Sequence, residues 1–469
     1  MFIDHLRELA DRHPDHEALV TPDRRLTYGA LIGIVDAKAA ALTDALPDTG
    51  GVVGVSIRDE VENLVACLSV LAAGRRQFTL ATFDPLDARQ RFAAAAGVEV
   101  MLGDGAGSAL PGIPCVTWSE VESSGSQVLR RRQGSVLLRT SGSTGDGKLI
   151  EFDEGQLALH LRDVGQYAGR RYFRIASVEH GICLRQRLLC LYAGGTNVFR
   201  APEGIDLAQT RSTLGFDIIE LSLMHAEDLI RRPDRSAFSG VTIRMTGSAV
   251  SYRMRQQLQE RVSHDLYVRY GASECGTVSI AGPTEHDADE VAGLLSAGVE
   301  VEILDEGGRP VAPGERGQIR IRSPGMASGY LNAPAEGAKR FVDGWFVPGD
   351  IAWFRADGQL VVAGRADDMM ILNGMNIFPK EIERALELHP AVRAAAALSL
   401  DSPVHGQIPV AAVQFEAGAS ADVLELQTYA REQLGLRAPR RIIIVPALPR
   451  ASDGKLHHRA LLASFRPGA

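Results

Sequence analysis

Residues 135–149 read Ser135-Val136-Leu137-Leu138-Arg139-Thr140-Ser141-Gly142-Ser143-Thr144-Gly145-Asp146-Gly147-Lys148-Leu149. A short apolar strand runs straight into a turn of three glycines, four hydroxyls and a lysine. Such a loop presents backbone N–H groups and a cation at the carboxyl end of a strand, where an α/β sheet keeps its ligands. It reads as a cradle for a triphosphate. Gly142-x4-Gly147-Lys148 meets the first seven positions of a P-loop, but Leu149 stands at the eighth, where Ser or Thr must hold Mg²⁺. An ordinary P-loop NTPase is therefore excluded.

The alternation of β-branched runs and helical segments continues outward from this loop. GVVGVSI (51–57) precedes ENLVACLSVLAAG (62–74), and SVLLR (135–139) precedes a segment of helical period, GQLALHLRDVGQYAG (155–169). DIIELS (217–222) is followed by HAEDLIRR (225–232), VTIRM (241–245) by YRMRQQLQERV (252–262), and LYVRY (266–270) closes the series. Strands alternating with helices in this way predict an α/β fold with doubly wound, largely parallel sheets. After about residue 290, VEVEILDEGGRPVAPGERGQIRIRS and GDIAWFRADGQLVVAGR are strand patterns broken by Gly/Pro turns, with Asp357-Gly358 as a hairpin signal. The expected organisation is a large N-terminal domain over residues 1–365, with a β-rich subdomain at about 290–365, and a small C-terminal α+β domain over 366–469. The small domain should contain helix EIERALEL, strand IPVAAVQFE, helix ADVLELQTYAREQLG and strand RIIIV.

Composition narrows the function classes. The 469 residues carry 50 Lys+Arg against 58 Asp+Glu, a net charge of −8, which offers no footprint for nucleic acid or an anionic membrane. Five cysteines, at 67, 115, 183, 190 and 275, include no C-x-x-C pair, so a reducing, cytoplasmic setting is expected rather than a disulfide framework or a Cys-zinc site. The start, MFIDHLRELADRHPDHEAL, leads into an amphipathic helix and is unlike a signal peptide. No apolar run of about 18 residues predicts a spanning helix. His457 and His458 have no carboxylate or cysteine partner at a ligand spacing and are read as surface residues.

The 139–149 loop resembles the phosphate loop of the adenylate-forming superfamily, which comprises acyl-CoA synthetases, peptide-synthetase adenylation domains and luciferases. Further matches follow in that superfamily's order, spanning residues 26 to 455. Leu26-Thr27-Tyr28 looks like its LTY motif, and Thr246-Gly247-Ser248-Ala249 sits where the family turns against adenine. Tyr270-Gly271-Ala272-Ser273-Glu274 resembles Y-G-x-T-E, and Gly344-Trp345-Phe346-Val347-Pro348-Gly349-Asp350 resembles G-W-F-x-T-G-D. Gly364-Arg365-Ala366-Asp367-Asp368 resembles the hinge motif, and 374–383 the G-x-N-I-x-P-x-E-I-E after it. Leu448 to Lys455 resembles the C-terminal P-R-x-x-x-G-K.

The resemblance implies an AMP-forming ligase using ATP and Mg²⁺. Thr140, Ser141, Gly142, Ser143, Thr144 and Gly145 would hold phosphates. Gly247, Ser248, Ala249, Tyr270, Gly271 and Ser273 would hold adenine, and Asp350 and Arg365 the ribose or phosphate. Glu274 would hold the metal, and Lys148 and Lys455 would be catalytic cations. Asp367 would be the hinge of a mobile small domain. A carboxylate attacking the α-phosphorus builds negative charge and expels pyrophosphate, so placed donors and cations are needed rather than a covalent nucleophile. The acceptor it implies is a thiol, CoA or carrier phosphopantetheine. Two alternatives stay open: a nitrogen acceptor, giving an amide or N–N bond as in nitrite-activating diazotising members, and a nucleotide-binding homologue without turnover.

Gly147, Leu149, Ser273 and Pro348 depart from the usual Pro, Gly, Thr and Thr. About fourteen residues follow Lys455, with no carrier segment among them, so a free-standing enzyme is expected. The acid pocket should involve residues 177–181, the helix after them, and 271–277. His180 tilts against an α-amino acid substrate, although Glu179 could clamp an amine. Arg185 and Arg187 interrupt an otherwise apolar helix. Either they pair with acids such as Glu179 or snorkel to solvent, or one of them lines the pocket with His180 and selects a small or doubly anionic acid.

Overall fold

The computed structural model describes residues 1–46, 50–121, 132–140, 147–160, 166–200, 206–287, 290–372, 375–402, 406–450 and 456–465. Two sheets carry the α/β part. In the first, Cys115–Thr117, Val98–Gly103, Val52–Ser56, Arg76–Thr79 and Ser135–Arg139 lie parallel in that order, and Leu149–Asp153 closes the edge antiparallel to Ser135–Arg139. The second runs Leu294–Leu295, Gly276–Ala281, Leu266–Ala272, Thr242–Thr246, Ile218–Leu221, Arg171–Arg174, Thr196–Val198, Glu17–Val20, Arg25–Thr27. From Leu266–Ala272 to Glu17–Val20 all neighbours are parallel, so the strand ends open together on one edge.

Between the two sheets lies the largest apolar cluster, which joins the helices Phe2–Arg12, Tyr28–Ala45, Glu60–Ala72 and Gly181–Tyr192 to the first sheet. Glu60–Ala72 is apolar all round, as a helix enclosed on every side must be, and is buried from Val61 to Ala72 apart from Glu62. Asp59 starts it by accepting from the Glu62 N–H at 2.8 Å. The LTY stretch has a structural use here. Thr27 caps Tyr28–Ala45, and the buried Tyr28 hydroxyl lies 2.8 Å from the carbonyls of both Leu191 and Gly195, which share its proton.

Two expectations change. Among the described residues of 155–169 the α-helix is Glu154–Leu159, and 161–165 lie outside them; Asp153 caps it reciprocally with Gln156, and the residues before it, Leu149–Asp153, are a strand. The small unit also has a long strand, Val392–Ser402, that the sequence pattern did not suggest, paired along its length with Gly406–Phe415. Its helices Pro379–Glu387 and Val423–Leu434 and strand Arg441–Ile444 fall close to expectation. The β-rich region forms its own antiparallel sheet, in which Asp350–Phe354 and Leu360–Arg365 make the Asp357-Gly358 hairpin.

After Arg365 a single 3₁₀ turn, Ala366–Asp368, leads to the strand Met370–Leu372 in another sheet. Among the described residues no apolar cluster contains members from both sides of that turn. The two sides meet through ions: Arg393 to Glu227 at 2.5 Å, Arg253 to Glu416 at 2.9 Å, Lys380 to Glu290 at 3.1 Å and Arg316 to Glu381 at 2.6 Å. Arg253 also reaches the carbonyl of Glu387 at 3.2 Å.

Removing the Tyr28 hydroxyl takes a buried donor away from the Gly195 carbonyl and leaves the Leu191 carbonyl with backbone N–H donors alone. Tyr28→Phe should lower the unfolding free energy by about 1–3 kcal/mol, read as a lower urea midpoint at unchanged m-value.

Candidate functional site

The carboxyl ends of the parallel strands, the β-rich sheet and the small unit together enclose a cleft of about 2620 Å³. Its phosphate side starts from Thr140, whose N–H donates to the Lys148 carbonyl at 2.8 Å, closing the neck of the loop. Asn332 clamps that neck, accepting from Leu149 N at 2.8 Å and donating to the Gly147 carbonyl at 3.2 Å. A Cβ on Gly147 would lie 2.6 Å from the Arg139 side chain, so with Arg139 placed as it is the neck leaves room for glycine. Arg139 itself pairs with Asp84 at 2.8 Å and covers Phe92. The expected phosphate contacts Ser141, Gly142, Ser143, Thr144 and Gly145 lie outside the described residues, as does Lys455. Arg450 and Leu456, which flank the Lys455 segment, form an antiparallel bridge and line the cleft.

Lys148 reaches one other expected residue, Glu274, by way of Tyr330. Its ammonium pairs with Glu336 at 3.3 Å and stands 4.8 Å from the centre of the Tyr330 ring. The Tyr330 hydroxyl donates to Glu274 Oε1 at 2.8 Å. Glu274 is buried and makes no ion pair among the described residues, with the Arg185 charge near it but not bonded to it. A buried carboxylate with an unpaired charge suits a hard cation that takes its other oxygens from phosphates and water. The hairpin carrying Glu274 is tight: a Cβ on Gly271 would lie 2.1 Å from the Gly276 carbonyl oxygen.

A third group is assembled across two sheets. Tyr270 donates its hydroxyl to Asp350 Oδ2 at 2.6 Å, and the other oxygen of Asp350 lies 3.8 Å from Arg365. Burial raises the Asp350 pKa, opposed by the Tyr270 hydrogen bond and the Arg365 and Arg340 charges. Arg365 also holds the Pro348 carbonyl at 2.8 Å and the exposed Asp367 at 3.2 Å. Gly247, with Ser248 and Ala249, forms the turn after Thr242–Thr246; Gly247 has φ +91°, and no atom crowds its Cβ position, so conformation alone asks for glycine.

The four expected pocket residues separate. His180 lines the cleft against Phe83, ring centres 4.9 Å apart. Glu179 also reaches it, but its carboxylate is taken by Thr82, from N at 2.6 Å and Oγ1 at 3.0 Å, and burial raises its pKa. It is a loop anchor rather than an open amine clamp. Arg185 lines the cleft and donates Nη1 to the Ser273 carbonyl at 2.7 Å. Arg187 does not line it: it is fully buried, stacked 3.8 Å over Phe199, bonded to the Val198 carbonyl at 3.2 Å and paired with Glu60 at 3.6 Å. Two residues along a helix turn a side chain by about 200°, so Arg185 and Arg187 face opposite ways. Neither pairs with Glu179.

Tyr330, Asn332 and Glu220 went unnoticed in the sequence. Tyr330 and Asn332 stand in a Gly/Pro-rich stretch, SPGMASGYLNAP, where no core periodicity accounts for an aromatic, and that is the signal that marks them. Glu220 lies inside a strand pattern and gives no such signal.

The model of the "AMP-binding enzyme" family matches residues 6–331, and that of the "AMP-binding enzyme C-terminal domain" matches 381–455. Phosphinothricin tripeptide synthetase PhsC of Streptomyces viridochromogenes is 28% identical over 97% of this chain and 44% of its own length. The chain thus spans less than half the length of that relative. A feruloyl-CoA synthase of Amycolatopsis is 29% identical over 68% of each chain. The solved amide bond synthetase McbA from Marinactinospora thermotolerans superposes with a TM-score of 0.88 at 22% identity, covering 99% of this chain and 100% of that one.

Arg187→Met should remove a buried cation from a structural pair. Unfolding free energy should fall by about 3 kcal/mol, while ATP affinity, measured by calorimetry, stays within about twofold.

Proposed function

The chain belongs to the AMP-binding enzyme family, and from that premise we propose that it is an AMP-forming ligase. The observation that carries the proposal is the convergence on one cleft of the Lys148–Tyr330–Glu274 and Tyr270–Asp350–Arg365 groups, drawn from three different sheets and loops. A small acid gives its carboxylate oxygen to the α-phosphorus of ATP; the bond to the β-phosphate oxygen breaks and pyrophosphate leaves. The resulting acyl adenylate passes its acyl group to a thiol, releasing AMP and a proton.

Each residue has a part in this scheme. Asp350 accepts from the ribose hydroxyls, kept in place by Tyr270 and Arg365. Gly247, Ser248 and Ala249 with the Tyr270 ring enclose the adenine, and Gly271 lets the backbone come close beside Ser273. Thr140 and residues 141–145 bind the phosphates. Glu274 would hold Mg²⁺, whose charge offsets that of the phosphates. Lys148, and Lys455 from the small domain, stabilise charge that grows at phosphorus in the transition state. Asp367, exposed in the turn between the last strand of the β-rich sheet and the small domain, is the hinge about which that domain changes orientation between the two half-reactions. The likeness to a feruloyl-CoA synthase supports CoA or a carrier phosphopantetheine as acceptor.

Pyrophosphate release with a panel of acids, with and without CoA or amines, tests the reading. ATP consumption that depends on no acid would overturn it. Lys455→Ala should slow acid-dependent pyrophosphate release by two to three decades, about 3–4 kcal/mol, while ATP still binds; a variant within threefold of the parent would remove the role. Asp367→Pro fixes φ in the turn, so adenylate formation should survive better than transfer to the acceptor. Equal loss of both steps would argue against the hinge.

A further inference from the structure

The interior behind the carboxyl ends of the larger sheet holds more cations than it neutralises. Glu220, 2% exposed, is the carboxylate there. It accepts from Arg269 Nη2 at 2.7 Å, Thr246 Oγ1 at 2.9 Å and Gln186 Nε2 at 3.1 Å, with Arg174 at 3.7 Å. Burial alone would raise its pKa, yet the charges of Arg269, Arg174 and Arg244 hold it at about 2. Arg244, 1% exposed, makes no ion pair among the described residues; it lies 4.3 Å over the Tyr167 ring, with Nε and Nη1 lacking hydrogen-bond partners there. The Nε atoms of Arg174 and Arg269 lack partners as well.

Arg185 adds a further cation. It is 6% exposed and makes no ion pair among the described residues, and its one hydrogen bond there uses Nη1 on the Ser273 carbonyl. The Nε–Nη2 edge is left over, and that edge is the fork that matches a planar oxyanion. Burial pulls the Arg185 pKa down to about 10, only partly offset by Cys275 and Glu274. Arg174, Arg185 and Arg269 all line the cleft; Arg187, whose charge Glu60 meets, does not. Arg174, Arg244 and Arg269 thus share the carboxylate of Glu220, while Arg185 has only the unbonded charge of Glu274 near it, and buried cations without a bonded counter-ion are costly. The missing negative charge has to come from the cleft.

We propose that the acid activated here carries a second anionic group, a distal carboxylate, sulfonate or phosphonate, which docks on the open edge of Arg185 with Arg174 and Arg269 behind it. The proposal rests on the adenylation reading and adds the substrate class. Lys148 and the 140–148 loop serve the triphosphate from another sheet, which leaves Arg185, on the helix after His180, for the acid. Long aliphatic acids, which would bring hydrocarbon against these charges, are poor substrates.

Matched acids of equal length decide it: succinate against butyrate, and sulfoacetate against propionate, in ATP-dependent pyrophosphate release. The dianions should be preferred by about tenfold or more in kcat/KM. Arg185→Gln should raise the KM for the dianion about tenfold, leave that for ATP within about threefold and erase the preference, and Arg185→Lys should restore part of it. A preference for butyrate, or an Arg185→Gln effect on the KM of ATP rather than of the acid, would overturn the proposal while adenylation stands. Should no acid release pyrophosphate, the adenylation reading fails, and a thermal shift by succinate without ATP still reports the site. A shift present in the parent and lost in Arg185→Gln supports the anion site, and its absence from the parent overturns it.

Discussion

The carboxyl edge of the larger sheet depends on one buried carboxylate. Arg174 at the end of Arg171–Arg174, Arg244 midway along Thr242–Thr246 and Arg269 midway along Leu266–Ala272 put like charges on strands of one sheet, an arrangement that repels itself in a low-dielectric interior. Glu220, on the strand between two of them, holds that edge together. Its other bonds reach Thr246, next to the Gly247 turn, and Gln186, on the helix that carries Arg185. The position of the turn and the position of the pocket helix are therefore set by the same anion. Losing it would disturb both walls of the cleft, although Glu220 itself is sealed from solvent.

Legibility in the sequence followed the physics of each segment. VLL before the glycine-rich loop and the 241–245 and 266–270 runs have β-branched or apolar residues in strand-length blocks, and they are strands. Val392–Ser402 escaped notice because its centre is four alanines, which have neither period nor β-branching; pairing with Gly406–Phe415 makes it a strand. The helical period seen over 155–169 is realised at its start, where Asp153 caps a helix whose last residue is Leu159. Contacts far apart in the chain, Tyr330 with Glu274 or Tyr270 with Asp350, are set by how the sheets meet. The motifs marked several of these residues but not their partners. The arginines make the point most plainly, since residue type shows two buried charges and only the helix's placement shows which one reaches the cleft.

The cleft is put together from parts that differ in how firmly they are held. Tyr28, Thr27 and the apolar cluster between the sheets anchor the pocket helix to the chain's first helices. Asn332 ties the loop neck to the segment bearing Tyr330, so that Lys148 and Glu274 share a frame built from two loops. Such a frame keeps cation and carboxylate apart and ready before any ligand arrives.

Among the described residues no apolar cluster crosses the Ala366–Asp368 turn, and this bears on the mechanics of the molecule. Pulling hydrocarbon faces apart exposes oily area to water, and the cost grows with that area. Faces joined by Arg393–Glu227, Arg253–Glu416, Lys380–Glu290 and Arg316–Glu381 expose ions instead, and water solvates those nearly as well as the opposing ion did. The joint is accordingly a latch that dissolved salt loosens, not a weld, and its strength is set by the solution around it as much as by the chain.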